Sequence, residues 1–174
     1  GDMSQFDISN DVSKTNLKYG NGVELEKQVF NQNNQSLKIF ANKKGTLELE
    51  FIFSEDDLNL TENIEIVCKE KSNSNIIIKY LSSGEQKHYH NGIIRVNSEK
   101  NSKVNIIVVN MLNLKSTNLL SIENNVEENS NINYTIVDFG GKTSIINYYS
   151  NVFGEEAKAN VNSIYLGKEN QLFD

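Results

Sequence analysis

The chain has 174 residues, an apolar share of 37% and a single cysteine, which suffices for one domain with a true core and excludes a disordered chain or an internally disulfide-bonded one. A formal net charge of −6, with 17 basic residues scattered rather than clustered, argues against nucleic acid as a partner, because phosphate binding needs grouped Lys and Arg. No apolar run approaches the ~18 residues of a membrane helix and no signal-peptide pattern opens the chain, so the expected setting is cytoplasmic, without a membrane partner. Gly1 stands where an initiator Met belongs and reads as the scar of a cleaved tag. The expectation is one β-domain over residues 1–174, cut from a longer product.

Taken along the chain, one pattern returns. "KKGTLELEF" around Gly45, "SNSNIIIKY" around Ser74, "KNSKVNIIV" around Ser102, "ENSNINYTI" around Ser130 and "EEAKANVNS" around Ala157 place a small residue at steps of 29, 28, 28 and 27. A period this steady is an internal repeat. After each small residue apolar side chains alternate: Leu47, Leu49 and Phe51, then Ile76, Ile78 and Tyr80, then Val104, Ile106 and Val108, then Ile132, Tyr134 and Ile136, then Ala159 and Val161. Period two predicts strands with these positions inward and Glu48, Lys79, Asn105, Asn133 and Asn160 outward. β-branched residues dominate and proline is absent, so nothing interrupts the ladders.

A second strand fills the rest of each period: residues 64–70, 92–99, 119–127 and 144–153, with Ile66, Ile94 and Ile122 at intervals of 28. The segments 54–63, 82–92 and 110–118 are left as connections. Two strands in about 28 residues are too few for a propeller blade of about 40. Asn73, Asn101 and Asn129 precede the small residues, where an asparagine accepts a left-handed turn and stacks its amide on identical neighbours. The predicted fold is therefore all-β, a parallel β-helix in which every copy of the repeat supplies one rung.

Few residues suggest chemistry. His88 and His90 lie on one face of an extended segment, a spacing some metal sites use, but without further ligands nearby they read as solvated loop histidines. Cys68 has the inward parity of Ile64 and Ile66 and reads as a small hydrophobe. The acidic groups Glu55, Asp56 and Asp57, and Glu127 with Glu128, read as solvated loop charge. Arg95, the only arginine, lacks the aspartate cluster of a pectate-lyase-like site, and Gly140–Gly141 precede a strand rather than the helix a phosphate loop needs. No catalytic residue is assigned, and no metal site beyond the weak candidates His88, His90 and Cys68.

The tail carries a resemblance. Residues 137–174, "VDFGGKTSIINYYSNVFGEEAKANVNSIYLGKENQLFD", resemble the core of the SufB/SufD family of iron–sulfur cluster assembly proteins through Gly140, Gly141, Gly154, Glu156, Ala157, Ala159, Leu166, Gly167, Gln171 and Asp174. Upstream, "HNGIIRVNSEKNSKVNIIVVNM" is similar to the family's strand–turn–strand pattern, and the likeness runs over roughly residues 20–174. It implies a right-handed parallel β-helix, a single-stranded solenoid, and a non-enzymatic scaffold that pairs with a SufB or SufD paralogue or with itself and binds a SufC-type ABC ATPase. It also implies that any iron–sulfur cluster belongs to the assembled full-length complex, because the family's ligand residues lie mostly beyond the segments matched, and a chain with one thiol cannot hold a cluster alone. The competing classes are an extracellular β-helix adhesin and a carbohydrate-active β-helix protein. Neither a signal peptide nor an aligned acidic and basic groove supports them.

Overall fold

The computed structural model describes residues 5–14, 17–18, 20–32, 34–167 and 172–173. The strands are β1 (Phe6–Ser9), β2 (Gln35–Ala41), β3 (Lys44–Phe53), β4 (Asn59–Cys68), β5 (Asn73–Ser82), β6 (Tyr89–Ser98), β7 (Lys103–Met111), β8 (Thr117–Val126), β9 (Asn131–Asp138), β10 (Thr143–Val152), β11 (Lys158–Tyr165) and β12 (Leu172–Phe173). One helix, α1 (Val23–Gln32), lies between β1 and β2.

From β2 onward, successive strands alternate between two sheets. Sheet A runs β1-β2-β4-β6-β8-β10-β12 and sheet B runs β11-β9-β7-β5-β3. Every pairing is parallel except that of β1 with β2. The result is the expected β-solenoid: each turn donates one strand to each sheet and closes its hydrogen bonds on the turns above and below. Ile64, Ile94 and Ile122 of sheet A stack in register and face Ile76, Ile78, Ile106 and Val108 of sheet B, all fully buried. At ~1.5–3 kcal/mol for each such side chain, this column is the main stabilising element of the fold.

The register corrects the sequence alignment. Ser74 pairs with Val104 rather than Ser102, and Ile66 with Val96, while Ile64 is the partner of Ile94. The equivalent turn residues are Ser72, Ser102, Ser130 and Ala157, whose amides bond back to Lys69, Glu99, Glu127 and Gly154. The left-handed residues before them are Lys71, Asn101, Asn129 and Glu156. Asn73 therefore does not share the role of Asn101 and Asn129. The cause is the connection at 83–88, longer than those at 54–58, 112–116 and 139–142, which lengthens one period and displaces the visible motif.

The connections are also shorter than expected, because β4, β6 and β8 begin at Asn59, Tyr89 and Thr117. Their first halves carry polar residues that point into the coil. Val161, expected inside, is 42% exposed, because β11 is the last strand of sheet B.

The N-terminal segment covers the outer face of sheet A. Glu24 and Glu26 in the first turn of α1 complement its dipole. Val29 and Phe30 pack with Leu17 and Ile93 in a second small core. Beneath the strap that precedes α1, Lys38, Glu65, Arg95 and Glu123 alternate in sign along one register row. Ser13 N donates to Glu65 Oε2 at 3.1 Å, Arg95 Nη1 to Ser13 O at 3.2 Å, and Lys18 N to Glu123 Oε2 at 3.0 Å. Arg95 thus has the acidic company that its sequence neighbourhood concealed. Burial pushes its pKa down, against the opposing pull of Glu123, Glu65 and Glu26.

Candidate functional site

Inside the coil, at the end where β4, β6 and β8 begin, the apolar column gives way to a buried polar ladder. His90, Asn118 and Ser144 occupy one register position on three successive rungs. His90 Nδ1 donates to Asn118 Oδ1 at 2.6 Å, Asn118 Nδ2 donates to Ser144 Oγ at 3.1 Å, and Ser144 Oγ donates to Asp138 Oδ2 at 2.8 Å. Asp138 also accepts from Asn110 Nδ2 and from the Gly140 amide. The other imidazole nitrogen, Nε2, meets Glu62 Oε1. Glu62 and His90 are both 0% exposed.

Gly92 makes this meeting possible. A Cβ there would lie 2.1 Å from Glu62 Oε1 and 2.7 Å from His90 Nε2. The imidazole lies against Tyr80 with ring centroids 4.1 Å apart and planes tilted by 32°, and it meets Phe53 edge to face at 6.1 Å. Burial, and then the charge of Glu62, pushes the Tyr80 hydroxyl well above its ordinary value.

The expectation of solvated loop histidines is overturned. His88 is as buried as His90, and its hydrogen bonds set its tautomer: Nε2 donates to Ser54 O at 3.2 Å while Nδ1 accepts from Ser82 Oγ at 2.9 Å. Ser82 Oγ in turn accepts from the Asn113 amide, so its own proton is free for His88. Both histidines have every ring nitrogen engaged and neither presents a lone pair to a ligand. Among the described residues no group of three or more His, Cys, Asp or Glu is placed to hold a metal ion.

Cys68 sits inward as expected, at the opposite end of the strand from Glu62. It is fully buried, and burial pushes its thiol up to about 12, so it is neither a thiolate nor accessible at neutral pH.

Of the residues that carry the resemblance, Gly140 and Gly141 form the turn between β9 and β10 with φ of 91° and 144°. A Cβ on Gly141 would lie 2.8 Å from the Ser116 carbonyl oxygen. Ala157 packs against the core beside β9, and Gly167 follows β11. Gln171 and Asp174 lie outside the described residues.

A model of the SUF system FeS cluster assembly SufBD core domain matches residues 51–174. The chain belongs to the SufBD family. The match spans every rung from the end of β3 onward, so the coil interior and the polar ladder are parts of the SufBD core, and the chain takes part in iron–sulfur cluster assembly. The strap, α1 and β2 lie before the matched segment, which is shorter than the 20–174 expected. No curated protein and no solved structure matched the chain. No helix among the described residues is long and apolar enough to cross a membrane.

Sequence reasoning missed Glu62 and Asn118 in this SufBD core because their segments read as connections, and Ser144 and Asp138 because nothing in their local sequence marks an inward polar contact. The available signal was spacing. His90 and Asn118 stand 28 residues apart, the period of the repeat, and so had to share one position on adjacent rungs.

Proposed function

We propose that this chain is a scaffold component of SUF-type iron–sulfur cluster assembly, a rigid β-solenoid that pairs with a SufB or SufD paralogue or with itself and engages a SufC-type ABC ATPase in the cytoplasm. The assembled complex, rather than this chain alone, handles the iron and sulfide. In this reading the chain is not an enzyme. It provides a platform whose shape is fixed by in-register strands and by the Glu62–His90–Asn118–Ser144 ladder across its rungs.

The observation that carries the reading is the family match over the stacked core together with the state of its sulfur chemistry. The single thiol is sealed inside the coil with its pKa pushed up to about 12, whereas cluster ligation needs several accessible thiolates. The test is co-purification of the protein with the SufC-type ATPase of the same source. A stoichiometric complex is expected, with cluster absorbance on adding iron and sulfide to the complex and none with the chain alone. Two folded proteins that do not associate overturn the scaffold reading.

A further inference from the structure

The strap lies on the outer face of sheet A, and the way it is fastened there is selective. Outward side chains of the sheet bond to its backbone. Glu65 Oε2 accepts from Ser13 N at 3.1 Å, Asn63 Nδ2 and Arg95 Nη1 donate to Ser13 O at 2.9 and 3.2 Å, Glu123 Oε2 accepts from Lys18 N at 3.0 Å, and Ser121 Oγ accepts from Asn21 N at 2.9 Å. These side chains come from β4, β6 and β8, so the strap crosses the strands rather than extending a sheet. Leu17 supplies an apolar anchor, buried with Val29 and Phe30 of α1 and Ile93 of β6. Main-chain bonds combined with a pocket for a side chain are how a protein surface reads an extended peptide: the bonds give affinity and the pocket gives specificity.

The strap satisfies this row incompletely. Arg95 Nη2, a donor, and Asn63 Oδ1, an acceptor, are buried without a hydrogen-bond partner. Leaving such atoms unpaired is costly, and a peptide group carries the carbonyl and the N–H that the two need. Both side chains bond to Ser13 O, so the unpaired atoms lie beside one strap residue. Charge says which segment fits. Glu65 and Glu123 of the row, with Glu26 bonded to the Leu17 amide, outnumber Arg95 and Lys38. The strap itself carries lysines and no acid from Ser13 to Lys18, and the Lys18 ammonium lies over the Tyr149 ring at 5.5 Å. The face therefore complements a basic segment.

We propose that the strap is a displaceable occupant of a docking row, and that the row receives an extended, basic segment of a partner protein carrying a leucine-class side chain in the place of Leu17. A segment that sets one further peptide group against Arg95 Nη2 and Asn63 Oδ1 gains two hydrogen bonds that the strap does not make. That difference in affinity is what displacement requires. The strap, tethered in cis, sets the threshold that such a partner has to exceed. The inference goes beyond the scaffold reading and does not depend on it: its readout is peptide binding, so its failure leaves the ATPase complex to be decided separately.

The experiment is fluorescence anisotropy with labelled synthetic peptides, added to the wild-type chain and to Leu17→Asp, which unseats the strap and leaves the sheet side chains in place. Three peptides are compared: the strap sequence, residues 10–22; an alanine–serine peptide that keeps the spacing of Lys14, Leu17 and Lys18; and the same peptide with glutamate for both lysines. The first two bind Leu17→Asp roughly tenfold or more tightly than wild type, whose own strap competes at high effective concentration, and the glutamate peptide binds far more weakly. Glu123→Gln in the unseated chain weakens the lysine peptides, whereas Glu85→Gln, the same charge change on an exposed loop, does not. Circular dichroism accompanies every variant, and Leu17→Ser replaces Leu17→Asp should that chain unfold. No binding to an unseated, folded chain overturns the inference. So does equal binding to wild type, or equal binding of a peptide without the leucine, since either places the peptide elsewhere. Binding of the strap sequence alone, with the alanine–serine peptide silent, also overturns it, because the strap is then a fixed part of the fold.

Discussion

The Glu62 carboxylate fills the space that a side chain at Gly92 would occupy, and from there it reaches His90 Nε2. Gly92→Ala places a methyl group 2.1 Å from Glu62 Oε1, inside a core with no exit for either residue. Overpacking of this kind costs typically 1–3 kcal/mol, and displacement of the carboxylate adds part of the pairing energy. Urea unfolding should show a loss of about 3 kcal/mol, whereas in the Glu62→Ala background, where the clashing carboxylate is gone, Gly92→Ala should add much less to the loss that Glu62→Ala causes by itself.

Removing one member of the buried pair strands the other. His90→Ala and Glu62→Ala should each destabilise by roughly 3–5 kcal/mol, as broken buried pairs do. Glu62→Ala combined with His90→Ala should cost much less than the two single changes summed. A double-mutant cycle in denaturant reads the difference directly, and additive losses would mean that the contact contributes no coupling.

The fold should fail on the alkaline side. Cys68, Tyr80 and Tyr134 are buried and neutral, with pKa values raised above 9.0 for the thiol and 10.0 for the phenols, to about 12 for Cys68. A raised folded-state pKa contributes stability that is complete below the unfolded-state value and is lost as pH rises through the folded-state value. Stability should hold up to about pH 9 and then fall, with the loss from Cys68 complete near 12. Tyrosinate absorbance should rise late and together with unfolding. Cys68 should resist alkylation in the native protein and react once urea unfolds it.

Lys71 adopts the left-handed conformation, with φ of 68°, that Asn101 and Asn129 adopt on later rungs with φ of 61° and 53°. A β-carbon makes this conformation costly, and asparagine tolerates it better than lysine. Lys71→Gly or Lys71→Asn should raise the unfolding free energy by about 0.5–1 kcal/mol, seen as a higher urea midpoint at unchanged slope, since neither removes a buried contact. The reverse change, Asn101→Val, should lower it.

Much of the fold was legible because a solenoid repeats its reasons. Period-two apolar runs returning after about 28 residues leave little choice but stacked strands, and Cys68 took its inward place by parity alone. The register was harder to read. Ser74 and Ser102 look equivalent in sequence, yet Ser74 pairs with Val104, because the connection at 83–88 shifts the motif against the ladder. The polar ladder was hidden for a different reason. His90, Asn118 and Glu62 are partnered only by residues on other rungs, so local composition assigns them to solvent. Arg95 was misread in the same way, since Glu65 and Glu123 flank it in the sheet and not in the chain. The strap and α1 carry no repeat and left no pattern to extend.

Nearly interchangeable rungs raise a problem of order, and the ladder inside the coil answers it. Leu60, His90, Asn118 and Ser144 hold the same position on four consecutive turns, and no two are alike. The apolar column of isoleucines would tolerate a turn seated one place too high or too low. Such a slip would bury the Glu62 carboxylate against a neighbour with no imidazole and leave His90 without its acceptors, a penalty of the size that a broken buried pair carries. The four dissimilar residues thus number the turns, and a column that could have been assembled in several sequences is given only one.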